Sequence, residues 1–254
     1  MRIVVLTDLD DTLFQTARKL PAGGETRAVL AARATNGHDS FATPGQLALL
    51  DWMDPSRCVP VTARGTEAYS RVSLPFAGPG AIVANGAVVL DEHGEVNADW
   101  QARIQHVLDP VRDLLDGLPD RLLAEAAGHG ISIRTWLVQE PGCGGVYAVA
   151  KANDDASGGP LHALVPGLLD HLRIEADTTD DTRWRLHLNG NNLALMPPGI
   201  SKALATAWLL ERLRRDGELL AIGAGDSSSD LAFMRVCDLW MTPSGSQLDR
   251  AWGR

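Results

Sequence analysis

Apolar residues come in short bursts along this chain, and most bursts end abruptly in an acid, a hydroxyl or a glycine. Ile3, Val4, Val5 and Leu6 form an uninterrupted aliphatic run, the pattern of a strand buried on both faces of a parallel sheet, and Asp8, Asp10 and Asp11 follow at once. Cys58 to Val61 ends in Thr62-Ala63-Arg64-Gly65. Ala81 to Ala84 ends in Asn85-Gly86 and resumes as strand to Leu90, Leu219 to Ile222 runs into GAGDSSSD, and Leu239 to Met241 is a last short strand. Between these runs the spacing predicts helices: one with Thr43 as N-cap and Pro44 at its first position, one over residues 66–74, and one from Ser201 to about Arg215 with Lys202 in its first turn. Strand followed by helix, repeated, predicts an α/β fold with a parallel sheet flanked by helices.

Between residues 88 and 190 the rhythm changes. Trp100, Ile104, Val107, Leu108, Val111 and Leu115 recur at helical spacing, interrupted by Pro110, which should kink or divide the helix. Residues 131–138 and 146–151 read as strands around the glycine-rich PGCGG, Pro160 to Leu172 as a helix, and Arg183 to Leu188 as a half-exposed alternating strand. Asn192 to Met196 reads as the next strand, stopped by Pro197-Pro198-Gly199. The expected organisation is a core of residues 1–87 and 190–254 interrupted by an α+β domain at 88–189. Residues 15–41, punctuated by glycines, show no readable pattern, and residues 154–160 read at most as a flexible loop.

Composition narrows the function classes. A net charge of -9 over 254 residues argues against nucleic-acid binding, which needs surplus Lys and Arg to displace counterions. Cys58, Cys143 and Cys237 are sparse and widely spaced, which suits a reducing compartment. With no signal-peptide pattern at the N-terminus and no apolar stretch of membrane-spanning length, a cytoplasmic protein without membrane or nucleic-acid partners is expected. Oligomeric state is not legible.

The chemistry is expected where strands end. In an open α/β sheet the carboxyl ends of the strands border the ligand crevice, so Asp8 and Asp10 should emerge on its floor. Carboxylates this close repel one another unless a cation or a shared proton offsets them, and the cluster therefore calls for a metal. Read singly, each residue has a plainer alternative: three acids can be a solvated turn, Thr62 or Asp226 a helix cap, Asp230 a first-turn acid, Lys202 a solvated lysine, and Asn85-Gly86 a turn suited to left-handed backbone.

Taken together, TDLDDTL, VTARG, PPGISK and GDSSSDLAFM resemble the four ordered motifs of the haloacid dehalogenase superfamily of phosphohydrolases. The large insertion and the VANGAVV segment are similar to its Cof-type and sucrose-phosphate phosphatase-like subclass, with an α/β cap on a Rossmann-like core. The resemblance implies Asp8 as nucleophile through an aspartyl-phosphate, Asp10 as general acid and base, and Mg²⁺ held by Asp8, Asp10 through its backbone carbonyl, Asp226 and Asp230. It further implies Thr62 and Lys202 on the phosphate, and Arg64 and Asn85 on substrate or hinge. Two positions depart from the pattern: Ala63 replaces a common Gly, and Ser229 a common Asn. The implied activity is hydrolysis of a small phosphate ester, such as a sugar phosphate; phosphoryl transfer to a second alcohol and a non-catalytic binding module are the competing readings. Specificity is expected from the cap, where Arg134, Trp136, Arg183, Trp184, Arg185 and His187 are candidates, although tryptophans are more often core and arginines more often solvated.

Overall fold

The N-terminal aliphatic run forms strand β1 (Arg2–Thr7), whose last four residues are buried. The computed structural model describes residues 1–20, 27–35, 37–154, 159–172, 175–176, 182–188 and 191–253; most of the segment read as a flexible loop, and the 189/190 boundary, lie outside them. Three short strands follow, β2 (Gln15–Thr16), β3 (Val29–Ala32) and β4 (Ser40–Ala42), pairing antiparallel in the order β2-β4-β3. Helix α1 (Pro44–Met53) starts as predicted: the Thr43 side chain accepts from the Gln46 amide while the Gln46 side chain accepts from the Thr43 amide, a capping box. Strand β5 (Cys58–Pro60) lies parallel to β1. The next helix, α2 (Thr66–Tyr69), is shorter than the expected 66–74. Its continuation is drawn off as strand-like backbone, because Val72 bridges to Ala32 and the Ser73 amide donates to the Ala31 carbonyl at 2.8 Å. Strands β6 (Ala81–Val83) and β7 (Val88–Leu90) form an antiparallel hairpin.

From Ala98 to Ser201 the chain forms a second compact unit. Pro110 divides the predicted helix: α3 (Ala98–Leu108) passes through a 3-10 turn at Asp109–Val111 into α4 (Arg112–Asp116) and then α5 (Leu118–Gly128). The Trp100, Ile104, Leu108 and Leu115 stripe is fully buried, so it is core. Strands β8 (Ile133–Glu140) and β9 (Gly144–Ala152) pair antiparallel around Gly142, whose φ of +71° only glycine adopts easily. After α6 (Val165–Leu172) come β10 (Glu175–Ala176), β11 (Arg185–Leu188) and β12 (Leu193–Met196), completing a sheet of order β10-β11-β12-β9-β8.

Helix α7 (Lys202–Arg215), β13 (Leu219–Ala224), α8 (Leu231–Met234), β14 (Leu239–Met241) and α9 (Gln247–Ala251) return to the first unit. Its main sheet is parallel, in the order β14-β13-β1-β5. The compact units part at 97/98 and 201/202. The reasons are local: β7 hairpins onto β6, and β12 pairs with β9 and β11. No helix among the described residues is long and apolar enough to cross a membrane.

Candidate active site

All three parallel strands that carry candidate residues, β1, β5 and β13, end on the same side, so their following loops converge by topology. The Asp8 amide donates to the Ala224 carbonyl at 2.8 Å, which joins the tips of β1 and β13 directly. Beyond Asp8 the chain turns sharply. The amides of Leu13 and Phe14 return to the Leu9 carbonyl at 2.9 and 3.2 Å, Asp11 takes a left-handed φ of 65°, and Leu9, Leu13 and Phe14 are buried as the anchor of the loop.

Lys202, in the first turn of α7, reaches into this acidic ground. Its Nζ donates to Asp8 Oδ1 and to Asp230 Oδ1, each at 2.8 Å, and the three residues are 8%, 6% and 1% exposed. One buried ammonium therefore faces two buried carboxylates. Asp226 brings a third: ligand oxygens of Asp8, Asp226 and Asp230 all lie within 4.8 Å of one another. Asp230 is held from the other side by the Ser227 amide at 3.1 Å and the Ser227 hydroxyl at 2.8 Å, both to Oδ2. Ser229 hydrogen-bonds the Ser227 hydroxyl at 2.7 Å, so the departure at this position still supports the acidic loop.

The electrostatics express the crowding. Burial, then the charge of Asp230, pushes the Asp8 carboxyl well above its usual range, against the opposing pull of Lys202. Burial followed by Asp230 and Asp11 pushes Asp226 up to about 7. For Lys202 burial disfavours the ammonium, but Asp230 and Asp8 outweigh it and hold the proton firmly. The donor set is hard oxygen, its carboxylates outnumber the one buried lysine, and among the described residues no ion pair reaches Asp226. These properties fit Mg²⁺.

Thr62 and Arg64 form the other wall. Thr62 is 1% exposed and its Oγ1 accepts from the Arg64 amide at 3.1 Å. Arg64 clamps Asp10 in a two-pronged ion pair, Nε to Oδ2 at 2.8 Å and Nη2 to Oδ1 at 2.7 Å. The same guanidinium lies 4.9 Å above the Phe14 ring and donates to Ser40 Oγ at 3.2 Å. Asn85 has a φ of 55°, the left-handed turn expected of Asn-Gly, and its amide donates to the Thr62 carbonyl at 3.0 Å. The candidates for the metal, the phosphate and the reacting groups thus fall in the first unit, with Asp8, Asp226, Asp230 and Lys202 in direct proximity and Thr62, Arg64, Asp10 and Asn85 linked beside them, whereas the specificity candidates Arg134, Trp136, Arg183, Trp184, Arg185 and His187 fall in the second.

Several supporting residues are missing from the sequence-derived set. Ser227 holds Asp230, Ser40 braces Arg64, and Gly225 lets the acidic loop close: a Cβ there would sit 2.5 Å from the Cβ of Asp230. Gly225 and Ser227 flank Asp226 and carry a readable signal, whereas Ser40 lies in the stretch with no pattern. Asp11, paired with Lys19 at the edge of the cluster, also influences Asp226.

No protein-family model matches this sequence, and no curated protein matches it. Solved structures do resemble it. The sucrose-phosphatase of Synechocystis, in complex with sucrose and phosphate, superposes with a TM-score of 0.55 at 13% identity, covering 99% of this chain and 96% of its own. A haloacid dehalogenase-like hydrolase of B. subtilis gives 0.53 at 13% identity, covering 98% and 91%. The truncated IMP-nucleotidase of Plasmodium falciparum with IMP bound gives 0.57 at 13% identity, covering 98% and 67%. At such identities the likeness is one of fold.

Proposed function

We propose that this chain, which has the fold of haloacid dehalogenase-like hydrolases, is a Mg²⁺-dependent phosphomonoesterase acting on small phosphate esters through an aspartyl-phosphate. The observation that carries the reading is the sharing of buried Lys202 between Asp8 and Asp230, with Asp226 close by. A solvated turn or a set of helix caps would have no reason to bury two like charges around one ammonium with a third, half-buried, beside them.

In this reading an Asp8 carboxylate oxygen attacks phosphorus and forms the acyl phosphate, while the bond to the leaving alkoxide breaks. Asp10, two residues on in the same loop, gives that oxygen a proton. It then takes a proton from the water that attacks phosphorus, releasing phosphate and restoring Asp8. Lys202 neutralises charge on the nucleophile and the phosphoryl oxygens, and Thr62 donates its hydroxyl to them. Asp8, Asp226, Asp230 and the Asp10 carbonyl would hold Mg²⁺, which when bound supplies positive charge to the phosphoryl group. Asp230 already has both oxygens engaged, by Lys202 and Ser227, which favours an orienting role. The sucrose-phosphatase likeness favours a sugar phosphate as the ester.

The test is phosphate release from p-nitrophenyl phosphate with Mg²⁺. Turnover should disappear in Asp8→Asn and in EDTA, and return on adding Mg²⁺ to the chelated wild type. Undiminished turnover in Asp8→Asn would overturn the assignment.

A further inference from the structure

An open cavity of the first unit lies beside the acidic cluster without belonging to it. Its volume is about 360 Å³, and its wall includes Asp11 and Thr12 from the loop after β1, Gly45 and Leu49 from α1, Ala224 at the end of β13 and Met241 at the end of β14. That size suits a small organic molecule. None of Asp8, Asp226, Asp230 and Lys202 lines it. The backbone nonetheless joins it to them: the Ala224 carbonyl accepts from the Asp8 amide at 2.8 Å, and the Gly225 amide donates to the Met241 carbonyl at 3.3 Å.

Two features of the wall call for an occupant. Thr12 is 2% exposed, yet its Oγ1 finds no hydrogen-bond partner among the described residues, and a buried hydroxyl left unpaired is costly. Gly45 stands in the first turn of α1, where nothing demands glycine. Its φ is not left-handed, and a Cβ built on it would meet nothing nearer than Thr43 Oγ1, at 3.9 Å. Alanine or leucine would favour the helix and would have room; glycine keeps that room empty.

The occupant's chemistry follows from the lining. Leu49, Ala224 and Met241 supply an apolar surface. Among the described lining residues Asp11 alone is charged, and Lys19 pairs with it from outside the lining. The start of α1, a natural place for an anion, is already closed by the capping box of Thr43 and Gln46, and Asp11 repels an anion. We propose that the cavity is a binding site, separate from the ester site, for a small molecule with an apolar body and an amine or alcohol head. The head hydrogen-bonds the Thr12 hydroxyl, and an ammonium gains attraction to Asp11 as well.

Calorimetric titration of the full chain with benzylamine, benzyl alcohol and benzoate at pH 7.5 tests this. Benzylamine should bind with a Kd of about 1 mM, which its few non-hydrogen atoms can supply. Benzyl alcohol should bind about threefold more weakly, and benzoate not measurably. Gly45→Leu fills the space and should abolish binding of both, whereas Gly45→Ala should keep it. Thr12→Val should weaken both about fivefold, and Asp11→Asn should bring benzylamine to the level of the alcohol. Benzylamine at about ten times its Kd should raise the melting temperature of wild type by about 3 °C and leave that of Gly45→Leu unchanged. No binding of benzylamine to wild type, undiminished binding to Gly45→Leu, or benzoate binding as tightly as benzylamine overturns the site. These readouts involve no turnover, so they stand or fall apart from the phosphatase reading.

Discussion

Arg64 shows most clearly what a side chain's partner adds to its identity. The sequence resemblance implies substrate or hinge contacts for it, and in the structure both prongs of its guanidinium grip Asp10, at 2.7 and 2.8 Å, over the Phe14 ring. An arginine so placed orients the proton donor, and its removal should hurt most where a proton is most needed. For Arg64→Ala we expect kcat/KM on an alkyl phosphate to fall about 100-fold, within the range of general acid catalysis, and on p-nitrophenyl phosphate about threefold or less, since that leaving group departs without a proton. Arg64→Lys should restore little, because an ammonium lacks the two-pronged geometry. Equal losses on both esters would mean that Arg64 acts on the phosphate instead. Lys202 has the complementary role. Lys202→Met leaves Asp8 and Asp230 buried without a countercharge, which should destabilise the protein by about 3–5 kcal/mol in urea unfolding at pH 7.5. Part of the loss should be recovered at pH 5, where the raised pKa of Asp8 lets it take up a proton; an unchanged midpoint at pH 7.5 would remove Lys202 from the cluster.

At the scale of elements, the site depends on how closely β13 runs past the start of α8. Gly225 stands at that crossing. In Gly225→Ala the new Cβ would meet the Asp230 Cβ at 2.5 Å and the Met234 sulfur at 3.0 Å, so the acidic loop must move. A stability loss of about 1–3 kcal/mol is expected from the overpacking, with a loss of Mg²⁺ affinity of about tenfold or more as Asp230 is displaced; calorimetry showing native affinity would contradict the close-packing account. The elements that position the site were legible because each combines an aliphatic run with an abrupt polar end, as in β1 before Asp8 or β5 before Thr62. Others were not. An apolar tetrapeptide such as Leu193–Met196 reads as a strand, but nothing in it says which sheet it joins. Its partners, Ala148 to Ala150 and Arg185 to Leu188, were identified only by register. Strands β2 to β4 are two to four residues long, too short for an alternation to register, which is why Ser40 and its contact with Arg64 stayed hidden.

For the whole molecule, the acidic cluster sets how stability depends on pH and on metal. Asp226, pushed up to about 7, and Asp8, also raised, bind protons more tightly folded than unfolded. Between the ordinary carboxylate range near pH 4 and pH 7 the folded state therefore holds more protons, and stability falls as pH rises through that window. This is opposite in sign to a salt-bridged carboxylate, which loses stability on acidification. Because Asp226 is partly exposed and screened, its share is about 1–2 kcal/mol, below what the full shift would imply. A divalent cation inverts the balance, since it binds the ionised carboxylates and competes with the same protons. In EDTA, the melting temperature should thus drop from pH 5 to pH 7.5. Millimolar Mg²⁺ should raise it at pH 7.5 and have little effect at pH 5, while Asp226→Asn should flatten the EDTA profile and lose the Mg²⁺ response. A chelated wild-type protein whose melting temperature rises steadily over this range would mean that these carboxylates are not confined together as the structure has them, and the phosphoryl-transfer chemistry assigned to Asp8 would lose its physical basis.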